Sequence, residues 1–575
     1  MRRLPLDRIV LVTLVILAYL PSLGGEFVSD DHRFIERNEA IHRLTPIRYF
    51  TDLTAQATEA WGGIYRPLRT LDFAIDWAIS GGRPAWFHLR NVAYLALASV
   101  LLLALFRRIL GEEGTDLASP AFCGALVFAI HPVHTESVAW ISSRGDLLLL
   151  VFFLAALLLH VRGRHLAALA VLLLALLSKE SAVVFPAAVL LVDILRRARL
   201  TWRWYAGYAG LAAAYTVCWF LFIGADSADR VNQIPYYWGG TLFSNTVTVG
   251  KGMLWYTKLL VLPVELVHDY HVPARPHIDI GAAISLVLLA VLIVWALVAN
   301  RRSRFALLWF AVTIFPMSNL ALRMLIPTAE RFLLLPSVGF CFWAGFHLSR
   351  TRLRFAVFAC LALLVFSRSF AWRSEDVLWA ETLSVAETPT ALVHQIRLDL
   401  EVALKSGDLE DARTVVDRAE AFFELFRRDI HFSPDPDGDP IVSTGMEMEI
   451  ERARSRALLL LGQGADALVS ANRAAALGGP PEVHLFRSDA LRLLGRFPDS
   501  IAATERARQE GYGSDAQLVG RIAGLLYFYG EQLESTGRGW EALEAYRESW
   551  RRLPDAQRNS DTRLALDRLE NRRRH

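Results

Sequence analysis

Residues 146–178 read DLLLLVFFLAALLLHVRGRHLAALAVLLLALLS, and this stretch decides the fold class. It contains two apolar runs, 146–161 and 165–178, separated by a turn with two arginines, Arg162 and Arg164. A helix needs roughly 20 mostly apolar residues to cross a hydrocarbon layer about 30 Å thick. Two such runs joined by a short basic turn predict a pair of membrane-spanning helices whose connection lies on the cytoplasmic side.

Similar apolar runs precede and follow this hairpin. The chain has 575 residues, of which 54% are hydrophobic and 21% charged, whereas soluble proteins average roughly 45–50% apolar and about 25% charged residues. The pattern predicts about eleven spans, at 8–24, 89–107, 119–133, 146–161, 165–178, 181–195, 204–223, 281–299, 305–322, 332–348 and 354–370. A further apolar stretch, 246–266, carries two lysines and fits an interfacial helix better than a span.

The composition changes near residue 372, where apolar runs give way to sequence rich in Glu, Asp, Arg and Ala. We therefore predict a membrane domain over 1–372 and a soluble domain over 373–575. In the second domain, Gly462, Gly495 and Gly537 begin similar turns at intervals of 33 and 42 residues, the first close to the 34 residues of a tetratricopeptide repeat. The predicted fold class is all-α: a polytopic membrane domain followed by a tetratricopeptide-like α-solenoid.

The basic residues assign an orientation to the membrane domain. With the N-terminus in the cytoplasm, every arginine cluster between spans falls on the cytoplasmic side, as the positive-inside bias requires. The repeat domain and the two long loops, 25–88 and 224–280, then lie outside the cytoplasm. The Arg- and Ala-rich composition is typical of bacterial proteins and predicts the bacterial inner membrane and the periplasm. The net charge of +3 gives no indication of nucleic-acid binding.

Two adjacent carboxylates, Asp30 and Asp31, directly follow the first predicted span. One reading is structural, because an Asp here can cap the start of a helix. The other is functional, because adjacent like charges raise the pKa of one group and suit it to acid–base chemistry. The residues alone leave both readings open.

Other ionisable residues gather at the same predicted face of the membrane. One short hairpin between spans three and four holds five of them, and charges at membrane depth are costly unless they are used. Pro132 breaks helical geometry in this hairpin and weakens the reading of its two histidines as metal ligands. The full set in the outer segments is Arg66, His88, His131, His134, Glu136, Arg144, Asp146, Lys179, Glu180, Glu330 and Arg331. A transport pathway needs polar groups near the midplane, so this one-sided distribution favours a site at the outer interface.

These stretches, in this order, resemble the transmembrane and tetratricopeptide-repeat O-mannosyltransferase family and its bacterial relatives, a branch of the C-type (GT-C) glycosyltransferases. The matching stretches are Asp30-Asp31 with Asn38, Tyr65-Arg66-Pro67-Leu68, Phe87-His88-Leu89 with Asn91, His131-Pro132-Val133-His134-Thr135-Glu136 with Arg144 and Asp146, Ser178-Lys179-Glu180, and Glu330-Arg331-Phe332 leading into Leu335-Pro336-Ser337. One departure is Ser143, since the related proteins often have a glycine directly before the arginine.

The resemblance implies an inverting transfer of mannose or another hexose from a polyprenyl-phosphate donor to a hydroxyl group. It implies that Asp30 or Asp31 is the base, with a slight preference for Asp30, and that Arg144, Lys179 and Arg331 contact the donor phosphate. The remaining eight residues of the set would shape the site. No cofactor is certain, and a divalent cation, Mg or Mn, is left open because related enzymes differ in metal dependence.

The lead hypothesis has a protein Ser/Thr or a glycan as the acceptor. Repeat stacks present a concave surface, and here it is predicted to hold the acceptor protein or an assembly partner. Two alternatives of another class are a membrane-anchored repeat scaffold without catalysis and a transporter of lipid-linked sugar.

Overall fold

The computed structural model describes residues 5–57, 64–224, 241–270, 280–320, 326, 328–428, 441–553 and 560–574. Within these ranges the chain is helical and contains no strand, which confirms the predicted all-α class. Parts of the predicted outer loop 224–280, namely 225–240 and 271–279, lie outside the described residues.

The chain divides into two compact units, Met1–Thr388 and Pro389–His575. The division comes later than the predicted boundary at 372/373, because the next helix, Glu375–Val385, packs with the first unit. Its Trp379 is 2% exposed, and the ring lies 5.1 Å from the ring of His268.

The first unit consists of helices of very different length, joined by short 3₁₀ turns. The α-helices are α1 Leu6–Ala18, α2 Pro46–Thr51, α3 Pro67–Ser80, α4 Pro84–Leu110, α5 Pro120–Ala129, α6 Thr135–Ala139, α7 Arg144–Val161, α8 His165–Ser178, α9 Phe185–Arg196, α10 Trp202–Gly224, α11 Leu242–Val261, α12 Ile280–Val298, α13 Arg301–Ile314, α14 Ser337–Leu348, α15 Arg354–Ser369 and α16 Glu375–Val385.

Within the described residues, each of the eleven predicted spans overlaps one of these helices. Among the described residues, three helical segments are long and apolar enough to cross a membrane: Pro84–Leu110, Ile141–Val161 and Arg354–Arg373. Several others are apolar but shorter, such as Pro120–Ala129 and Ser337–Leu348. The total of eleven spans therefore stays a prediction.

Residues 146–178 form most of the hairpin α7–α8, as their two apolar runs predict. The turn between the helices uses Gly163 with φ of +75°, a left-handed conformation that favours glycine. Farther along the bundle, α5 and α14 approach so closely that a Cβ on Gly345 would collide with the backbone of Gly124. Small residues thus let these short helices pack backbone against backbone.

The second unit is a series of antiparallel helices. They are α17 Pro389–Ser406, α18 Leu409–Arg428, α19 Ile441–Leu460, α20 Gly464–Ala476, α21 Val483–Leu493, α22 Phe497–Gln509, α23 Asp515–Ser535, α24 Gly539–Arg552 and α25 Ser560–Arg574. The three glycines that the sequence singles out end α19, α21 and α23, and all have positive φ. The small residues five positions later, Ala467, Ser500 and Ala542, are fully buried between helices. The assignment as a tetratricopeptide-like solenoid stays a prediction.

Candidate active site

The carboxylates of Asp30 and Asp31 have opposite environments. Asp31 is fully buried, and its Oδ1 accepts hydrogen bonds from the backbone N–H (2.7 Å) and the hydroxyl of Ser142. Its Oδ2 accepts from the backbone N–H of Val28 at 3.1 Å. Burial raises the pKa of Asp31 to about 7. Asp31 therefore ties the segment after α1 to the 3₁₀ turn Ile141–Ser143, which precedes α7.

Asp30 remains accessible beside this anchored residue. Its side chain is 35% exposed, and Arg33 Nη1 lies 3.6 Å from Oδ1. The preceding residue, Ser29, has φ of +53°, which is unusual for a residue other than glycine. Such strained positions concentrate at functional sites, where the surrounding structure holds them. Asp30 therefore has the accessible carboxylate, whereas Asp31 makes the structural contact.

Two ion pairs stand where α7 begins and α8 ends. Lys179 Nζ donates to Asp146 Oδ1 at 2.6 Å, and Arg66 holds Glu180 through two hydrogen bonds, 3.0 Å from Nε and 2.5 Å from Nη2. Gly145 lies between them, since a Cβ built there would meet Ser178 O at 3.3 Å and the Arg66 side chain at 3.7 Å. The structure thus brings four predicted site residues together from three distant segments.

A third pair joins Glu136 of α6 to Arg331. The Glu136 carboxylate accepts from the Arg331 guanidinium and, at 2.7 Å, from the Arg331 backbone N–H. This pair holds the pKa of Glu136 at about 2, below its usual range despite full burial. The charges that act on Arg331 also include those of Asp146 and Asp30. The three ion pairs form one charged cluster next to Asp30, which we call the cation cluster after its three basic residues: Arg66, Glu136, Asp146, Lys179, Glu180 and Arg331.

Arg144 has other partners than the sequence predicts. It is fully buried, and its guanidinium donates to Asp72 (2.9 Å), to Asp76, to Asn91 Oδ1 (2.8 Å) and to the Phe87 carbonyl (2.8 Å). Because these donors are committed to protein groups, we propose that Arg144 positions α7 against α3 and α4 in place of the predicted phosphate contact.

The predicted histidines are buried in contacts with protein groups. His131 Nε2 lies 3.1 Å from the Leu260 carbonyl, and His134 joins the Phe128 carbonyl and the Ser337 hydroxyl, both at 2.8 Å. His88 is fully buried against Gly25, where a Cβ would lie 2.9 Å from its Nε2. The predicted role of these three residues in shaping the site stays a prediction.

Glu330 directly precedes Arg331 in the chain but has different partners. Its Oε1 accepts from the Tyr270 hydroxyl at 2.7 Å, and Arg368 Nη2 lies 3.8 Å away. Burial raises the pKa of Glu330 above its usual range. Within the described part of the chain, no group of three or more His, Cys, Asp or Glu side chains could hold a metal ion.

Arg144 draws its carboxylate partners from α3, a helix that contains none of the predicted site residues. Asp72 and Asp76 are one helical turn apart and hold Arg144, while Arg69 on the same helix is 1% exposed. Residues three and four positions apart share one face of a helix. In the sequence of α3, charged residues recur at this spacing among apolar neighbours. This pattern indicates a buried polar face.

Comparison with known proteins finds similar proteins that share the name Protein O-mannosyl-transferase. The chain is 28% identical over 415 residues to Protein O-mannosyl-transferase F38B6.6 of Caenorhabditis elegans, an alignment covering 67% of this chain and 58% of the relative. It is 27% identical over 462 residues to human Protein O-mannosyl-transferase TMTC4, covering 66% and 61%. The chain is thus similar to the TMTC protein O-mannosyl-transferases over about two thirds of its length. This confirms the resemblance found in the sequence.

A shorter segment is more similar to other TMTC proteins. Mouse Protein O-mannosyl-transferase TMTC3 is 35% identical over 158 residues, which are 27% of this chain and 16% of the relative. The chain spans about three fifths of the length of the first two TMTC relatives. No protein-family model matches it.

Proposed function

We propose that this protein is an inverting glycosyltransferase that moves a hexose, such as mannose, from a polyprenyl-phosphate donor to a hydroxyl group outside the cytoplasm. The acceptor is a protein Ser or Thr, in keeping with the names of the TMTC relatives. The observation that carries the proposal is Asp30, a half-exposed carboxylate held at a strained turn beside the cation cluster.

The proposed reaction requires a base on one side of the sugar and positive charge on the other. Asp30 takes the proton from the acceptor hydroxyl as the acceptor oxygen forms a bond to C1 of the sugar. The bond between C1 and the phosphate oxygen breaks, and its electron pair leaves with the polyprenyl phosphate. The leaving group gains one negative charge, which preorganised cations stabilise. A positioned base of this kind contributes typically 10²–10⁴-fold to the rate.

The cation cluster supplies that positive charge. Lys179 and Arg331 are the proposed phosphate contacts, as the sequence predicts, and each is oriented by its carboxylate partner, Asp146 or Glu136. A guanidinium can bind two phosphate oxygens at once, whereas an ammonium acts as a point charge. No step of this scheme depends on a metal ion, and a requirement for Mg or Mn is to be tested by chelation.

The proposed topology puts this chemistry on the outer face of a bacterial inner membrane. It has eleven spans, a cytoplasmic N-terminus and a periplasmic solenoid that holds the acceptor protein. The exposed apolar side chains of α12, such as Val287, Val291 and Leu297, fit a lipid-facing surface. This topology predicts that the base and the repeat domain share one aqueous compartment.

Mass spectrometry of extracytoplasmic proteins tests the proposal. Cells that lack the protein should lose a hexose from a defined set of Ser or Thr residues, and wild-type protein should restore it. Asp30→Asn should fail to restore it at equal expression. The matched control is Asp52→Asn, because Asp52 is an equally exposed carboxylate of the same loop, paired with Arg48 at 3.0 Å.

Other outcomes separate the alternatives. Full restoration by Asp30→Asn would contradict the enzymatic proposal and favour the repeat scaffold. Movement of lipid-linked sugar across vesicles by Asp30→Asn protein, without any product glycan, would favour the transporter. An unchanged protein profile with an altered surface glycan would replace the protein acceptor with a glycan.

A further inference from the structure

One buried arginine near the cation cluster has donors without a partner. Arg69, in the first turns of α3, is 1% exposed, and its guanidinium carbon lies 4.3 Å from the centre of the Phe34 ring. Its Nε and Nη2 groups make no hydrogen bond in the part of the chain that the structure describes. Burying a charged group without partners is costly, so such donors need an explanation.

The basic residues near Arg69 all have hydrogen-bond acceptors within the protein. Arg66, Lys179 and Arg331 each have a carboxylate within hydrogen-bond distance, and the Arg144 guanidinium has four acceptors. Each of those positive charges is therefore matched inside the protein. Among the described residues, no carboxylate lies in hydrogen-bond contact with Arg69.

Arg69 nevertheless lies among the residues of the proposed site. The charges that act on it are those of Arg66, Asp30, Glu180 and Asp146, and burial together with Arg66 lowers its pKa to about 9. Its side chain passes close to the start of α7, because a Cβ on Gly145 would lie 3.5 Å from Arg69 Cδ. The absence of a side chain at Gly145 leaves room for this approach.

The two unpaired groups occupy one edge of the guanidinium. Nε–H and Nη2–H point in the same direction and form the fork that binds two oxygens of a phosphate or carboxylate. We propose that Arg69 binds the phosphate of the lipid-linked donor through this edge. This inference rests on the proposed function and adds a residue that supplies unmatched positive charge for the leaving group.

Binding of a soluble prenyl phosphate tests the inference without measuring catalysis. Purified full-length protein in detergent is titrated with farnesyl phosphate, farnesol and inorganic phosphate, and the thermal midpoint and the dissociation constant are measured. Wild-type protein should bind farnesyl phosphate more tightly than farnesol, which has the same chain without the charge. Arg69→Met should weaken farnesyl phosphate binding roughly a hundredfold or more, the loss expected for two charge-assisted hydrogen bonds.

Two further variants keep the result interpretable. Arg69→Lys keeps the charge but loses the fork, and it should bind with intermediate affinity even if Arg69→Met folds poorly. Arg48→Met is the control, because Arg48 is an exposed arginine of the same loop that is paired with Asp52; its affinity should equal that of wild type. The ligand-free Arg69→Met protein should be at least as stable as wild type, since a buried unpaired charge has been removed.

The possible results separate the two proposals. Unchanged affinity in both Arg69 variants would overturn the role of Arg69 while leaving the transferase proposal intact. Stabilisation by inorganic phosphate but not by farnesyl phosphate would overturn the assignment to the donor. A wild-type protein that neither binds farnesyl phosphate nor transfers sugar would instead contradict the proposed function itself.

Discussion

The buried ion network around Arg144 allows a test of the structural role that we assign to it. Arg144 and Arg90 together face Asp72 and Asp76, so two positive and two negative charges are matched. Replacing Arg144 by Met leaves two carboxylates with one arginine. Asp76 is fully buried, so water cannot compensate for the lost partner. Breaking a buried ion pair from one side costs about 3–5 kcal/mol.

A double-mutant cycle isolates the interaction from other effects of the substitution. Asp76→Asn in the Arg144→Met background restores one positive and one negative charge, so the double variant should be about 1–3 kcal/mol more stable than the sum of the single changes predicts. The free energies are measured by SDS-induced unfolding in detergent, followed by tryptophan fluorescence. The surface variant Arg48→Met should stay within about 0.5 kcal/mol of wild type.

A defined result would refute this reasoning. If Arg144→Met cost less than about 1 kcal/mol and weakened farnesyl phosphate binding at least tenfold, Arg144 would contact the donor. The phosphate contact predicted from the sequence would then be right, and the contacts with α3 would be secondary.

The remaining predictions concern the anchored aspartate and the closest helix contact. Asp31→Asn should lower stability by about 1–3 kcal/mol in the same unfolding assay, because an amide cannot accept from both Ser142 and the opposing backbone donor. The raised pKa of Asp31 means that its protonated form is favoured in the fold. Its contribution to stability should therefore be present below about pH 4 and be lost as pH rises to about 7, and Asp31→Asn should remove this dependence. Gly345→Ala should separate α14 from Gly124 on α5 and lower the thermal midpoint, whereas Gly210→Ala, at an open position, should not.

The helical architecture was predictable because the length of the apolar runs determines it. Apolar runs of sufficient length must form helices when no water is available to the backbone. The hairpin α7–α8 needed only its two runs and the basic turn. The short helices α5 and α14 show the limit of this approach, since packing on Gly124 and Gly345 rather than length holds them together.

The charged residues of the candidate site stand out in the sequence, but their pairings do not. Asp146 with Lys179 and Arg66 with Glu180 are separated by 33 and 114 positions, and no local pattern encodes such contacts. The sequence also could not separate Asp30 from Asp31, because the distinction depends on a hydroxyl more than one hundred residues away.

The protein partners of Arg144 were also not predictable, and its phosphate contact stays a prediction. The residue type suited a phosphate, and its location at the start of α7 was right. Its actual partners lie on α3, a helix in the first loop whose internal face could not be located before the fold was known.

Residues 142–146, where the turn Ile141–Ser143 leads into α7, link three parts of the proposed site. Ser142 holds the first-loop aspartate, Arg144 holds α3, and Asp146 holds the lysine that follows α8. A displacement of this five-residue segment would move the base and the leaving-group contacts in concert rather than one at a time. A graft of the first loop into a related enzyme, made to change its acceptor, would therefore have to include residues 142–146.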